Sequence, residues 1–195
     1  MIPATAQTVL DFWFLPVEDP GHGRYRAEWF RKDAAFDAAI RTRFAADVEA
    51  ALGGRRRIGD DAASVLAEIL LLDQFTRNIF RDTPRAFSGD AQALVLANDL
   101  VHSGRDRTLP PLMRWFAYLP FEHSEALADQ ERAVALFTAL RTAAPGTAEA
   151  AFDAALEYAL RHRDVIARFG RFPHRNALLG RASSSAEVEF LKQPG

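Results

Sequence analysis

An all-α fold, compact and wrapped around one buried central helix, is what this 195-residue sequence predicts. Three observations carry that expectation. Ala, Leu and Arg are abundant and favour helix, and no stretch alternates polar and apolar residues as a strand would. Within residues 62–81, the run from Val65 to Leu72 has Glu68 as its single charge, and a helix apolar nearly all round belongs in an interior. Capping residues and Gly or Pro stops recur at helix-length intervals, which gives about eight to ten helices along the chain.

Taken in order, Val9 to Phe14 form a first short helix stopped by Pro16, and residues 16–24 are a turn-rich loop. Asp33 caps a helix over 34–52, where Phe36, Ile40, Phe44 and Val48 recur every four residues and Gly53 and Gly54 end it. Arg55, Arg56 and Arg57 after those glycines read as a solvated connection rather than a phosphate cradle. The central helix starts near Asp60. After the turn segment 82–90, Asp90 is expected to cap a helix over 91–103 that Gly104 closes. Residues 109–120 read as a short aromatic helix opened by Pro111 and closed before Pro120. Ser124 caps a long helix to about Thr142, and a second runs from about Ala148 to Phe169 with Gly170 past its end. A short piece over 173–179 ends at Gly180. A last helix from Ala186 to Lys192 opens with the capping box Ser184 and Glu187. No composition shift or repeat divides the chain, so one domain over 1–195 is expected.

Composition narrows the function. The charge balance, 24 basic against 26 acidic residues, lacks the basic excess of a nucleic-acid binder. No cysteine is present, which removes disulfides, thiolate nucleophiles and Cys-based zinc sites and suits a reducing cytoplasm. The N-terminus has no basic n-region and carries Asp11, so it does not read as a signal peptide. No apolar run is long enough for a membrane span. Phosphate loops, nucleophile elbows and dinucleotide fingerprints are missing.

Three clusters carry chemistry. At the end of the central apolar run the residues change to Asp73, Gln74, Arg77 and Asn78, with Asp73 and Arg77 one helical step apart. Their own helix pushes these groups toward the core, and buried polar groups need partners from elsewhere. They either line a pocket or form an ion-pair network that docks neighbouring helices. The segment 120–132 adds Glu122, His123, Glu125, Asp129, Glu131 and Arg132. A histidine among carboxylates could serve as a general base or a metal ligand, though no complete metal-ligand spacing is visible and the same acids suit a helix N-terminus. In residues 168–176, Arg168, Arg171, His174, Arg175 and Asn176 are interleaved with Phe169, Phe172 and Pro173. They could bind an anion at a fresh helical turn, or cap the preceding helix and pair with the acids of 122–131. His162 lies on one continuous face with Phe152, Ala155, Ala159, Ile166 and Phe169, which predicts a hydrogen-bonded core histidine.

The strings VLDFWF (9–14), WFRKD (29–33), LLLDQFTRNIFRDTPRAF (70–87), PFEHSE with DQER (120–132) and YALRHRDVIARFGRFPHRNALLGR (158–181) together resemble a bacterial family, domain of unknown function 924. The resemblance spans nearly the whole chain and departs at Thr76, where the family's third motif has proline. It implies an all-α, tetratricopeptide-like helical array, and it carries no assigned activity and no functional residues.

Three functions follow as expectations. The first is a binding module whose interior polar cleft takes a small anionic ligand or an acidic peptide, with Asp73, Arg77, Asn78, Arg171, Arg175 and Asn176 as binding residues and His174 assisting. The second is a hydrolase or lyase, with or without a metal, in which His123 or His174 is the base and Glu122 or Glu125 orients it. The third is a structural protein whose aromatic stretch 113–121 meets another protein. No cofactor, resident metal, nucleic acid or membrane is expected as a partner.

Overall fold

Trp13, Phe14, Phe44, Phe75 and Phe116 are almost wholly buried and lie at the centre of the molecule, where their rings meet edge-on or tilted, as Trp13 does with Phe116 at 5.5 Å and 90°. Around them a computed structural model describes residues 5–54, 58–143 and 149–193, helical throughout and without a strand among them. In chain order the helices are α1 (Ala6–Phe14), α2 (Ala34–Leu52), α3 (Ala62–Ile69), α4 (Thr76–Ile79), α5 (Asp90–His102), α6 (Pro111–His123), α7 (Leu127–Ala143), α8 (Glu149–Phe169) and α9 (Ser185–Phe190), with short 3₁₀ turns between several of them.

The central rod is α3, a π turn over Leu70–Phe75 and then α4, which continue one another without a break. From Val65 to Leu72 no residue is more than 7% exposed, as a helix apolar on all sides requires. α1 and α2 cover it from one side, α5 and α6 from the other, and α7 packs between α6 and α8. No helix among the described residues is long and apolar enough to cross a membrane.

Local capping chemistry sets most of the ends. Asp33 accepts from the amides of Ala35 and Phe36, Asp61 from Ser64, and Ser184 with Glu187 closes a full capping box. Four ends differ from expectation. Gly89, not Asp90, is the cap of α5, and Asp90 is its first residue. α6 runs through Pro120 to His123. The ring removes one helical donor, but the last carbonyls of α6 are taken by Gln130, whose Nε2 lies 2.7 Å from the Glu122 oxygen and 2.6 Å from that of Ser124. α7 begins only at Leu127, because the Ser124 hydroxyl caps the Ala126 amide and donates to Asp129 in a turn of its own. Residues 173–179 form a 3₁₀ turn at Pro173–Arg175 and then irregular turns. The loop arginines 55–57 and the expected start of α8 at Ala148 lie outside the described residues.

Candidate functional site

The site starts from an irregularity in the central helix. A π turn bonds each residue to the fifth one along and is frequent where a helix carries a function. Here it brings Asp73 to complete burial. The turn's carbonyls are satisfied locally: the Thr76 hydroxyl donates to those of Leu72 and Asp73 at 2.8 and 3.0 Å, and Arg77 Nη1 donates to that of Asp73 at 2.7 Å. Gly89 lets the start of α5 close on this turn, since a Cβ there would lie 2.1 Å from the Leu72 carbonyl oxygen.

A lone buried carboxylate costs several kcal/mol, more than the roughly 2 kcal/mol a buried leucine contributes, so Asp73 must be offset on the spot. Its Oδ1 accepts from His123 Nδ1 at 2.6 Å and faces Arg77 Nη1 at 3.1 Å, and its Oδ2 accepts from Gln74 Nε2 at 2.5 Å. Burial alone would raise its pKa. The Arg77 charge and then His123 outweigh that and hold the carboxyl well below the usual carboxylate range. Arg77 also grips Asp90 in a two-pronged pair at 2.9 and 3.1 Å. Arg175 reaches the same Asp90 at 3.1 Å, with its guanidinium 4.6 Å from the ring centres of both Phe87 and Phe172. Asp90 thus serves as the shared anion of two arginines instead of capping α5, a role suited to the positive N-terminus of that helix.

Glu122 and His123 close α6 side by side. With Asp73 ionised, His123 Nδ1 donates to it, so the neutral imidazole leaves Nε2 as a free acceptor. Burial, then the Arg77 charge, lowers the His123 pKa against the pull of Asp73, which keeps the ring neutral near pH 7. Glu122 is the opposite case: burial, followed by the nearby Asp73 charge, pushes its carboxyl up to about 8. Its Oε1 lies 3.1 Å from His162 Nδ1. That same nitrogen lies 2.8 Å from the Tyr158 carbonyl, which can only accept, so the His162 proton is on Nδ1 and Glu122 keeps its own proton for another acceptor. Burial lowers His162 to about 4. The two ends of the site are a neutral imidazole, with its proton on Nδ1 and its Nε2 open, and a carboxyl that burial holds in its protonated form.

These groups form one end of a cavity of about 770 Å³ lined by Gln74, Arg77, Asn78, Glu122, His123 and His162, with Arg31 and Arg81 on its walls. Its other end is apolar, with Tyr25, Phe30 and Trp115 facing the alanines of α8. A second hollow of about 640 Å³ lies between α8 and α9 and shares Tyr158 and His162 with the first. Among the described residues, no group of three or more His, Asp or Glu side chains is placed to hold a metal ion.

The residues singled out in sequence divide cleanly. Arg77, Asn78, Glu122 and His123 line the cavity, with the Asn78 amide donating to Asp37 at 2.7 Å, and Asp73 lies behind the wall, bonded to His123. Arg175 stands behind it through Asp90. Arg171 and Asn176 turn away: Arg171 clasps Glu187 at 2.7 and 2.8 Å, and the Asn176 amide donates to Ser183 and Glu187. His174 lines the second hollow against Phe172, where burial lowers its pKa to about 4. Glu125 orients no histidine, because it takes two bonds from Arg181 and one from the Phe172 amide. The orienting carboxylate is Asp73. His162 is hydrogen-bonded as expected, yet it lines both hollows rather than the core.

Comparison with known proteins agrees with the pattern of motifs. A family model described as bacterial protein of unknown function, DUF924, matches residues 9–195. The chain belongs to this family. A solved structure of the protein of unknown function ATU0120 from Agrobacterium tumefaciens is similar to it, with 37% identity, 97% of each chain covered and a TM-score of 0.79. No curated protein matches the chain. In this DUF924 protein, two groups able to move a proton face the cavity uncommitted once internal bonds are assigned. His123 Nε2 and the Glu122 carboxyl proton make no hydrogen bond among the described residues, and both side chains line the cavity.

Proposed function

We propose that the cavity is a general acid–base site that hydrolyses or eliminates from a small substrate. The observation that carries this reading is the 2.6 Å bond between His123 and the wholly buried Asp73, at a cavity wall that His123 lines. A carboxylate in that place fixes the tautomer and orientation of the ring and stabilises the imidazolium formed when Nε2 accepts a proton. Nε2 takes a proton from a bound water or from an acidic position on the substrate. The neutral Glu122 carboxyl, 3.1 Å from His162 Nδ1, gives one to the departing oxygen or nitrogen. The Gln74 and Asn78 amides line the same end, each with one N–H given to Asp73 or Asp37, and their second N–H groups can bind a polarised carbonyl oxygen.

Anion binding has less support. Arg77, Arg81 and Arg175 are each paired with Asp90 or Asp37, and an incoming anion would have to displace a carboxylate. The test is a panel of chromogenic aryl esters, amides and phosphoesters at pH 7. We expect turnover of at least one carbonyl substrate, falling about 10²- to 10⁴-fold in His123→Gln at an unchanged melting temperature. Turnover that survives in His123→Gln, or a panel with no turnover at all, would overturn the reading.

A further inference from the structure

The apolar end of the same cavity carries information on what it holds. Tyr25, Phe30 and Trp115 lie nearly parallel, with centroid distances of 6.1, 6.3 and 5.2 Å and interplanar angles of 16°, 24° and 23°. Three similar distances close a triangle, so the rings form a shelf of offset faces rather than a column. Tyr25 and Phe30 are half exposed at this shelf, which costs free energy unless something flat covers them. Opposite, α8 presents Ala151, Ala154 and Ala155, spaced to share one face and lacking any atom beyond Cβ. The result is a slot between an aromatic shelf and a wall of methyl groups.

Two helices measure how far the slot is from the chemistry. Trp115 and Glu122 are seven residues apart on α6, and Ala155 and His162 are seven apart on α8, which is about 10 Å along either axis. The helices are tied at both levels, by the Trp115–Phe152 ring contact at 5.9 Å and by the Glu122–His162 contact at 3.1 Å. Every arginine on the cavity wall already has a carboxylate: Arg31 with Asp33, Arg77 with Asp90 and Arg81 with Asp37. We infer that the cavity selects neutral substrates in which a flat aromatic ring is joined to the reacting carbonyl group by a spacer of about 10 Å. This rests on the acid–base reading for the position of the reacting end, and on the shelf, the alanine wall and the paired arginines for the rest.

The matched probes are 6-phenylhexanamide, 6-cyclohexylhexanamide and 6-phenylhexanoate, whose extended spacers match the separation of about 10 Å, titrated into the full chain and followed by amide chemical shifts. The phenyl amide should bind about tenfold tighter than the cyclohexyl amide, as one favourable ring-on-ring contact provides, and about tenfold tighter than the carboxylate. Ala154→Leu, at an exposed helix position, should fill the slot and weaken the phenyl amide about tenfold or more while the melting temperature holds. Equal affinity for the two amides, preference for the carboxylate, no effect of Ala154→Leu, or no binding of the phenyl amide at millimolar concentration would each overturn the inference. Slot-dependent binding with turnover indifferent to His123 would sink the acid–base reading alone. His123-dependent turnover with no aryl preference would sink the slot alone.

Discussion

Two regions of this molecule are built from the same side chains and do different things. Under the cavity, Asp73 and Asp90 hold Arg77, Arg175 and His123. At the C-terminal end, Glu187 and Glu125 hold Arg171, Arg181 and backbone amides. Both are arginine–carboxylate clusters with bidentate pairs, and both fix where a helix lies. In the C-terminal cluster Glu187 accepts from Arg171, Asn176 and Ser184, so it is a clasp that joins α9 to the turn after α8. Under the cavity the network leaves an imidazole nitrogen and a carboxyl proton uncommitted on the side that faces the cavity. Residue type does not separate a clasp from a site. A lone pair or proton left facing the cavity does: the C-terminal cluster also leaves Arg181 Nε and Asn176 Oδ1 without a partner among the described residues, but neither residue lines it.

The comparison can be broken most severely at Asp73. Asp73→Ala leaves Arg77 and His123 desolvated without their common anion, and should cost about 3–5 kcal/mol in urea unfolding. Glu187→Ala should instead loosen α9 locally, seen as faster amide exchange over Ser185–Phe190, with the unfolding midpoint little moved. If the two variants lose equal global stability, both clusters are clasps.

A smaller effect is expected at Gly89→Ala, where the new methyl meets the Leu72 carbonyl. About 1–3 kcal/mol should be lost, and the shift of Asp90 should reach Arg77 and Arg175. Unchanged stability would mean that the approach of α5 to the π turn is not tight.

The third effect is the smallest and depends on pH. The folded chain keeps the Glu122 proton up to about 8, whereas the ordinary value is 4.5, so its contribution is full below pH 4.5 and is lost as pH rises through 8. His162 acts in the opposite sense: its pKa falls from 6.5 to about 4, so its contribution is present above 6.5 and is lost as pH falls toward 4. The window from pH 6.5 to 8 therefore isolates Glu122. There the wild-type chain should lose up to about 2 kcal/mol by denaturant unfolding, and Glu122→Gln should be flat. A flat wild-type curve would mean that Glu122 is ionised in the fold.

Much of this architecture is legible in the sequence because caps are local chemistry. Asp33, Asp61 and the Ser184–Glu187 box each act on amides within three residues. Where a distant group intervenes, local rules fail. Pro120 does not stop α6, since the Gln130 amide supports the carbonyls beyond it. Asp90 is no cap, since two arginines from other segments claim it. That Asp73 needs a partner follows from its place on an apolar helix. That the partner is His123, 50 residues away, does not. The π turn leaves no mark in the spacing of Leu66, Ile69 and Asp73, and the slot is hidden because Ala151, Ala154 and Ala155 read as ordinary helix formers. Arg171 and Arg175 look alike in one string, and the Gly170–Phe172 corner sends them to different clusters.

The π turn has a genetic consequence. Such a turn is an α-helix carrying one surplus residue, so loss of a single codon within Leu70–Phe75 would return the rod to regular geometry. Both ends of the helix would keep their packing, while the carboxylate beside His123 would move out of register. A descendant of this gene could keep its shape and lose its chemistry in one in-frame step.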